Sequence, residues 1–302
     1  MAATEPEIVA VVGSTASGKS EVGLHLAASL GGEIVNADAF QLYRGMDIGT
    51  AKPGPDERRL VPHHCLDLWD IDEAASVAEY QAVARAAVTD IATRGRVPIV
   101  VGGSPLYVRA LCDELDLPPN DPELRARLLR EAEELGHLAM HERLRERDPA
   151  AAADIDPRNL RRVVRALEVV ELTGSFRARL PPPVPWRTTT FMALTRSRPE
   201  LDERIDRRTR DMWSVGLLDE VTGLLAAGLA TAPTASRAVG YTQAIAHLEG
   251  RLSRDDAIAD TVRATRALAR RQERTFRGDA RVVWVTGVDD ALAVIGDHRT
   301  RR

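Results

Sequence analysis

Lysine is almost missing from this sequence: among 302 residues and 41 Lys+Arg, only Lys19 and Lys52 are lysine and every other basic side chain is arginine. Cysteine is equally scarce. Cys65 and Cys112 supply neither a disulfide framework nor metal-ligand spacing, and they read as core filler. No apolar run approaches the roughly 20 residues that cross a bilayer, so no membrane partner is expected. No charged leader with an apolar segment precedes the first strand-like run, which leads us to expect a cytoplasmic protein with reduced thiols. The net charge of -4, from 41 Lys+Arg against 45 Asp+Glu, excludes a uniformly basic chain while leaving material for a local basic face. The adjacent His63 and His64 cannot both face one ion in a regular element, and no His or Cys stands at helical spacing nearby. A hydrogen-bonding loop is expected there rather than a metal site. No repeat of fixed period is present. The length suffices to bury a large core without staples, in one elaborated domain or two.

What is present begins with Gly13-Ser14-Thr15-Ala16-Ser17-Gly18-Lys19-Ser20, a full match to G-x-x-x-x-G-K-[ST]. Residues 8–12 read as a buried strand before it and 21–30 as a helix after it. In such a loop backbone N–H groups and a helix N-terminus converge on a phosphate chain. The lysine adds a compact charge, and the Ser20 hydroxyl can ligate Mg²⁺. The motif specifies phosphate binding, not the reaction. Lys52 lies in Gly49-Thr50-Ala51-Lys52-Pro53, shortly after a second strand-like run.

That run, 33–36, and three more at 97–101, 190–194 and 281–285 alternate with helical stretches such as 77–92. The alternation predicts an α/β fold with a P-loop-type parallel sheet core and its ligand at the carboxyl edge of the strands. Residues 117–185 form a long insert, opening at Leu117-Pro118-Pro119-Asn120 and closing on Pro181-Pro182-Pro183-Val184-Pro185. Its Ala-, Glu-, Arg- and Leu-rich segments, such as 122–135 and 159–172, have helical spacing, so a helical subdomain on proline hinges is expected. The α/β core would then comprise 1–116 and 186–302, with 199–278 helical apart from breaks at Gly240-Tyr241 and Gly250.

Two strand ends carry candidate chemistry. Asp38 follows the second strand directly, where a carboxylate can take a proton from an attacking N–H or O–H; the competing reading is a cap or turn. Gly102-Gly103-Ser104 ends the third strand with two glycines that admit close approach and one hydroxyl, or else forms only a tight exit turn. An aspartate that holds Mg²⁺ ends this strand in many P-loop hydrolases, and here it is missing. That absence argues against a motor or switch ATPase.

Arginines form two stripes. On a helix over 256–275, Arg263, Arg266, Arg270, Arg274 and Arg277 lie on one face, Arg271 widens it, and only Glu273 stands locally to offset the charge. Arg158, Arg161, Arg162 and Arg165 repeat the pattern in the insert. Two separated stripes suit a long phosphate backbone better than a small metabolite, the alternative being solvated faces. Ile258, Val262, Leu268 and Ala269, on the other side of the first helix, read as core.

Several stretches together resemble bacterial tRNA dimethylallyltransferases, also called tRNA isopentenyltransferases, over nearly the whole chain. They are the phosphate loop, the block from Asp38 to Pro53, Gly102-Gly103-Ser104-Pro105-Leu106-Tyr107, Arg165-Ala166-Leu167-Glu168, Ala238-Val239-Gly240-Tyr241, and Thr265 to Gln272. The block from Asp38 to Pro53 is far more specific than the phosphate loop. The resemblance implies transfer of a dimethylallyl group from its diphosphate to N6 of the adenosine at position 37, 3' of the anticodon. The tRNAs would be those reading codons that start with U, with pyrophosphate released and Mg²⁺ present.

By the same resemblance Asp38 is the general base on the extruded adenine, and Ser104 with Arg208 acts on the bridging oxygen of the leaving diphosphate. Gly13 to Ser20 hold that diphosphate, Ser20 beside the metal. The resemblance also implies tRNA contact by Asp38, Ala39, Phe40, Gln41, Ser104 and Arg125. To these it adds Arg161-Arg162-Val163-Val164-Arg165, Arg237-Ala238-Val239-Gly240-Tyr241-Thr242, Arg270-Arg271-Gln272, Arg274 and Arg277. The insert would touch the anticodon stem-loop, and a monomer is expected. Two residues depart from the family pattern: Ala39 replaces a serine, and Ser104-Pro105 replaces threonine-glycine. Two rival readings are a P-loop small-molecule or nucleotide kinase, which would turn over ATP against a small acceptor, and a nucleotide-dependent RNA-binding switch without chemistry.

Overall fold

The computed structural model describes residues 8–300, with side chains through 296. Strand β1 (Ile8–Val12) is five buried aliphatic residues in a row, the pattern of a strand covered on both faces. The phosphate loop follows, and α1 (Lys19–Leu30) stops at Gly31, whose φ of 61° suits a left-handed cap that side chains adopt only at a cost. After β2 (Glu33–Asn36) come a long loop, α2 (Pro55–Leu60) and β3 (His63–His64). The histidine pair therefore forms a two-residue strand instead of the expected loop, with Ile34 opposite His63 and Val35 opposite His64. Two residues carry no alternation to read; backbone pairing alone makes them a strand.

Helix α3 (Val77–Thr93), N-capped by the Ser76 hydroxyl, leads to β4 (Pro98–Gly102) and α4 (Pro105–Cys112). The chain then leaves the sheet, and a second compact unit runs from Glu114 to Val184. Its helices are α5 (Pro122–Arg147), α6 (Pro149–Ala153) and α7 (Leu160–Thr173). Helix α5 breaks and resumes at Gly136, where φ is 81°, so it continues beyond the 122–135 expected. Leu128, Met140, Leu144, Val163, Val164 and Leu167 build this unit's core.

The first unit resumes at Pro185 with β5 (Thr189–Leu194), α8 (Arg198–Ser214), α9 (Leu217–Ala226), α10 (Tyr241–Leu248), α11 (Arg254–Arg277), β6 (Val282–Val285) and α12 (Val288–Thr300). Besides the breaks expected at Gly240 and Gly250, the helical region is interrupted at Gly216, whose φ is 117°. Among the described residues six strands lie in the order β3-β2-β4-β1-β5-β6, every pair parallel. Because side chains alternate along a strand, Ile8, Ala10 and Val12 join one hydrophobic cluster and Val9 and Val11 the other. The first face packs on residues of α3, α4, α10 and α11, and the second on Val22, Leu26 and Ala27 of α1 and Ala291 and Ile295 of α12. All carboxyl ends of the strands thus open toward one edge.

Candidate functional site

At that edge the phosphate loop bends through Gly13 (φ 125°), Ala16 (φ 64°) and Gly18 (φ 98°). Gly18 is the N-cap of α1, and no side chain caps the helix, which leaves its first-turn N–H groups available to an anion. Three arginines from the segment after β5 brace this turn. Arg204 Nε donates to the Ala16 carbonyl at 2.8 Å, Arg196 Nε to the Ser17 carbonyl at 3.0 Å, and Arg208 Nη2 to the Thr15 hydroxyl at 2.6 Å. Gln272 of α11 accepts the Thr15 N–H at 2.8 Å.

Asp38 leaves β2 in a turn that Asn36 organises. The Asn36 Oδ1 accepts the Asp38 N–H at 3.0 Å, while Asp38 Oδ1 accepts the Phe40 N–H at 3.1 Å. The turn reading and the base reading are therefore compatible: one carboxylate oxygen holds the loop, and the other has no hydrogen-bond partner among the described residues. Ser104 Oγ accepts the Ala39 N–H at 3.2 Å, which ties the ends of β2 and β4 together and leaves the hydroxyl proton to donate elsewhere. Gly102 allows this approach. A Cβ there would run into the Ala37 carbonyl, and one on Gly103 would meet Gln272 Nε2 at 2.8 Å.

Lys19, Ser20, Asp38, Gln41 and Arg208 surround one cavity, with Leu24, Ile34, Ala51, Pro53 and Val101 supplying apolar wall. Ser104, Gln272, Arg271 and Thr275 line a separate recess. Desolvation, opposed by Asp38 and reinforced by Arg208, draws the Lys19 ammonium down to about 8. Arg208 is likewise lowered by burial, with Asp38 opposing. Two cations held partly desolvated beside one carboxylate make a site short of negative charge, which a diphosphate would supply. Ser20 is exposed, and among the described residues no cluster of three His, Cys, Asp or Glu could hold a metal unaided. That donor set fits a Mg²⁺ ion carried on substrate phosphates with one protein hydroxyl, the usual habit of this ion.

Positions assigned to RNA contact divide by burial. On α11, Arg270, Arg271 and Arg274 are exposed and have no ion pair among the described residues. The rest of the stripe is better offset than expected: Arg263 pairs with Asp260, Arg266 with Asp202, and Arg277 with Glu273 while stacking 4.3 Å over Trp284. Gln272 is buried and turned to the phosphate loop. Arg237 and Thr242 are exposed, but Ala238 and Tyr241 are buried. In the second unit Arg161 is exposed, whereas the side chains of Val163 and Val164 belong to the core. Arg125 and Arg165 both grip the buried Glu168, and Arg162 donates to the Ala178 carbonyl. For those residues the sequence marks a segment rather than a set of side chains free to touch RNA.

Several participants escaped the sequence reading. Arg196 and Arg204 brace the loop from 179 and 188 residues away, a separation that leaves no local pattern. His63 lines the cavity, its imidazole lowered chiefly by burial. Lys52, conspicuous by rarity, is fully buried and donates at 2.6 Å each to Asp47, Asp67 and the Tyr43 carbonyl. It pins the loop before α2 and touches no cavity surface.

Comparison with known proteins bears on the family and the fold. The family model described as IPP transferase matches residues 41–279. A tRNA dimethylallyltransferase of Streptomyces griseus is 54% identical over 286 residues, covering 94% of this chain and 92% of its own length, and one of Thermobifida fusca is 52% identical, covering 96% and 95%. Among solved structures, the tRNA isopentenylpyrophosphate transferase of Bacillus halodurans superposes with a TM-score of 0.70 at 38% identity, covering 98% of this chain and 95% of that one. A eukaryotic dimethylallyltransferase acting on tRNA gives 0.76 at 25% identity, covering 98% and 80%. With the family model covering well over half its length and relatives above half identity across almost all of it, the chain belongs to the IPP transferase family.

Proposed function

We propose that this protein transfers a dimethylallyl group from dimethylallyl diphosphate to N6 of adenosine 37 in tRNAs that read codons beginning with U. The observation that carries this reading is the convergence of Asp38, Lys19 and Arg208 on one cavity at the strand edge, with glycine where a hydrolase would keep a metal-binding aspartate. In the transfer, the N6 lone pair attacks the allylic carbon as its bond to the bridging oxygen breaks. Pyrophosphate leaves with the electron pair, and the N6 proton passes to Asp38. The departing charge is met by the uncapped start of α1, Lys19 and Arg208, which stand at that cavity, while Ser104, accepting the Ala39 N–H, holds the loop that carries Asp38. When bound, Mg²⁺ would neutralise part of the diphosphate charge beside Ser20.

The N6 amine is a poor nucleophile because its lone pair is delocalised into the ring, so placement of an extruded base and removal of its proton supply most of the remaining acceleration. Exposed Arg270, Arg271 and Arg274 on α11 would hold the anticodon stem-loop by its phosphates, and the exposed Arg161 is a separate candidate for phosphate contact. We further infer a monomer acting in the cytoplasm; among the described residues no helix is long and apolar enough to cross a membrane. The test is to incubate unmodified tRNA with the protein, dimethylallyl diphosphate and Mg²⁺, then analyse the anticodon-loop adenosine by mass. A dimethylallyl adduct on adenosine 37 is expected, and an unmodified base would overturn the reading.

A further inference from the structure

One carboxylate outside the cavity holds part of its wall. Glu220 of α9 accepts the N–H groups of Asp47 at 3.1 Å and Ile48 at 2.6 Å on one oxygen, and those of Gly49 at 3.3 Å and the Tyr241 hydroxyl at 2.5 Å on the other. Three successive amides closing on one anion form a nest, which fixes the direction of the chain that follows. Tyr241 is fully buried, and its ring lies so close to Gly49 that a Cβ on Gly49 would collide with it. The next residues, Thr50 and Ala51, together with Pro53, face the cavity, whereas Glu220 and Tyr241 do not reach it. Ala51 has φ 51°, a left-handed conformation that a non-glycine residue keeps only when its surroundings impose it. Those surroundings are the nest on one side and buried Lys52 on the other, with Gln41 Nε2 donating to the carbonyls of Thr50 and Ala51 at 3.1 Å each.

We propose that Glu220 and Tyr241 are positioning residues that hold the 47–51 wall in place and thereby limit the prenyl donor to five carbons. The proposal rests on the transfer reading above. Apolar pockets discriminate by about 10- to 200-fold per methylene, so a fixed wall in the cavity that Leu24, Ile34 and Val101 also line excludes a longer chain strongly, and a loosened wall excludes it less. A neutral amide at position 220 keeps one acceptor oxygen where the carboxylate had two. It cannot gather all four donors.

The test compares the full-length protein with Glu220→Gln and Tyr241→Phe, using dimethylallyl diphosphate and geranyl diphosphate as donors with tRNA, alongside hydrogen exchange of the 47–49 amides. The ratio of kcat/KM between the five- and ten-carbon donors should fall by about tenfold in Glu220→Gln. A smaller fall is expected in Tyr241→Phe, with faster amide exchange in both. A variant that loses activity equally on both donors, or keeps its ratio, overturns the proposal, since general destabilisation lowers both alike. If Glu220→Gln does not fold, Tyr241→Phe decides by the same ratio. A wild-type protein that uses neither donor contradicts the transfer reading instead, and unchanged exchange at 47–49 in the variants would still sink the clamp.

Discussion

Arg208 and Thr15 are joined by a 2.6 Å hydrogen bond across 193 residues of sequence, so that α8 delivers a guanidinium to the lip of the phosphate loop. The bond orients Arg208, which lines the cavity, before substrate arrives. Replacing it by lysine keeps a charge but loses the planar fork. Arg208→Lys should lower kcat by about 10²- to 10³-fold, the cost of removing one preorganised donor at a developing negative charge. Single-turnover transfer measures this, and a rate within threefold of wild type, on the order of experimental scatter, would contradict the role.

Asp38→Asn preserves the Oδ1 acceptor that holds the Phe40 N–H and removes the basic oxygen. Transfer should slow by about 10²- to 10⁴-fold while the dissociation constant for the diphosphate stays near that of wild type. Calorimetry with dimethylallyl diphosphate and a single-turnover assay separate the two effects.

Lys19 sets a pH dependence whose sign follows from its position. Its ammonium titrates at about 8 in the folded protein, against 10.5 for an ordinary solvated lysine, with desolvation as the main cause. The unfolded chain therefore binds the extra proton between those values, and the free protein should gain stability as pH rises from about 8 toward 10.5. Diphosphate affinity runs the other way: it should be greatest below about 8 and weaken above it as the charge is lost. Binding titrations across that range check the sign, and Lys19→Arg should abolish the inflection because guanidinium stays charged.

Gly102→Ala drives a Cβ into the Ala37 carbonyl, next to Asp38. Backbone cannot yield as a flexible side chain does, so destabilisation of about 1–3 kcal/mol is expected, with a loss of kcat from displaced Asp38. Thermal unfolding and transfer assays should both register it.

On α11 the exposed Arg271 has no ion pair among the described residues. Arg271→Ala should weaken tRNA binding without changing diphosphate affinity. It should also flatten the slope of log K against log salt by about 0.7 to 1, one phosphate contact. An unchanged salt slope would remove Arg271 from the RNA surface.

Local signals carried much of this architecture. An unbroken aliphatic run before a glycine-rich loop made β1 and α1 legible, and a chain direction read from strand alternation placed Asp38 and Gly102 at one edge of a parallel sheet. What stayed hidden depends on contacts distant in sequence. Gln272 lies in a stretch that carried the resemblance, yet its contact with Thr15 spans 257 residues, as that of Glu220 with Ile48 spans 172, and neither pairing can be read from a local period. The stripe on α11 misled in part for the same reason, since Asp202, which offsets Arg266, sits on another helix. In α7 the arginines were legible but their use was not: Arg165 turns inward to Glu168 because burying that carboxylate requires cationic partners. His63 and His64 became a strand through pairing with β2, which two residues of sequence cannot announce.

The most direct test is to count pyrophosphate released against prenylated adenosine formed, in a reaction holding unmodified tRNA, dimethylallyl diphosphate and Mg²⁺ but no ATP. The transfer reading requires one pyrophosphate for each adenosine modified at N6. Prenyl-free RNA, accompanied by hydrolysis of ATP when that nucleotide is added, would contradict it.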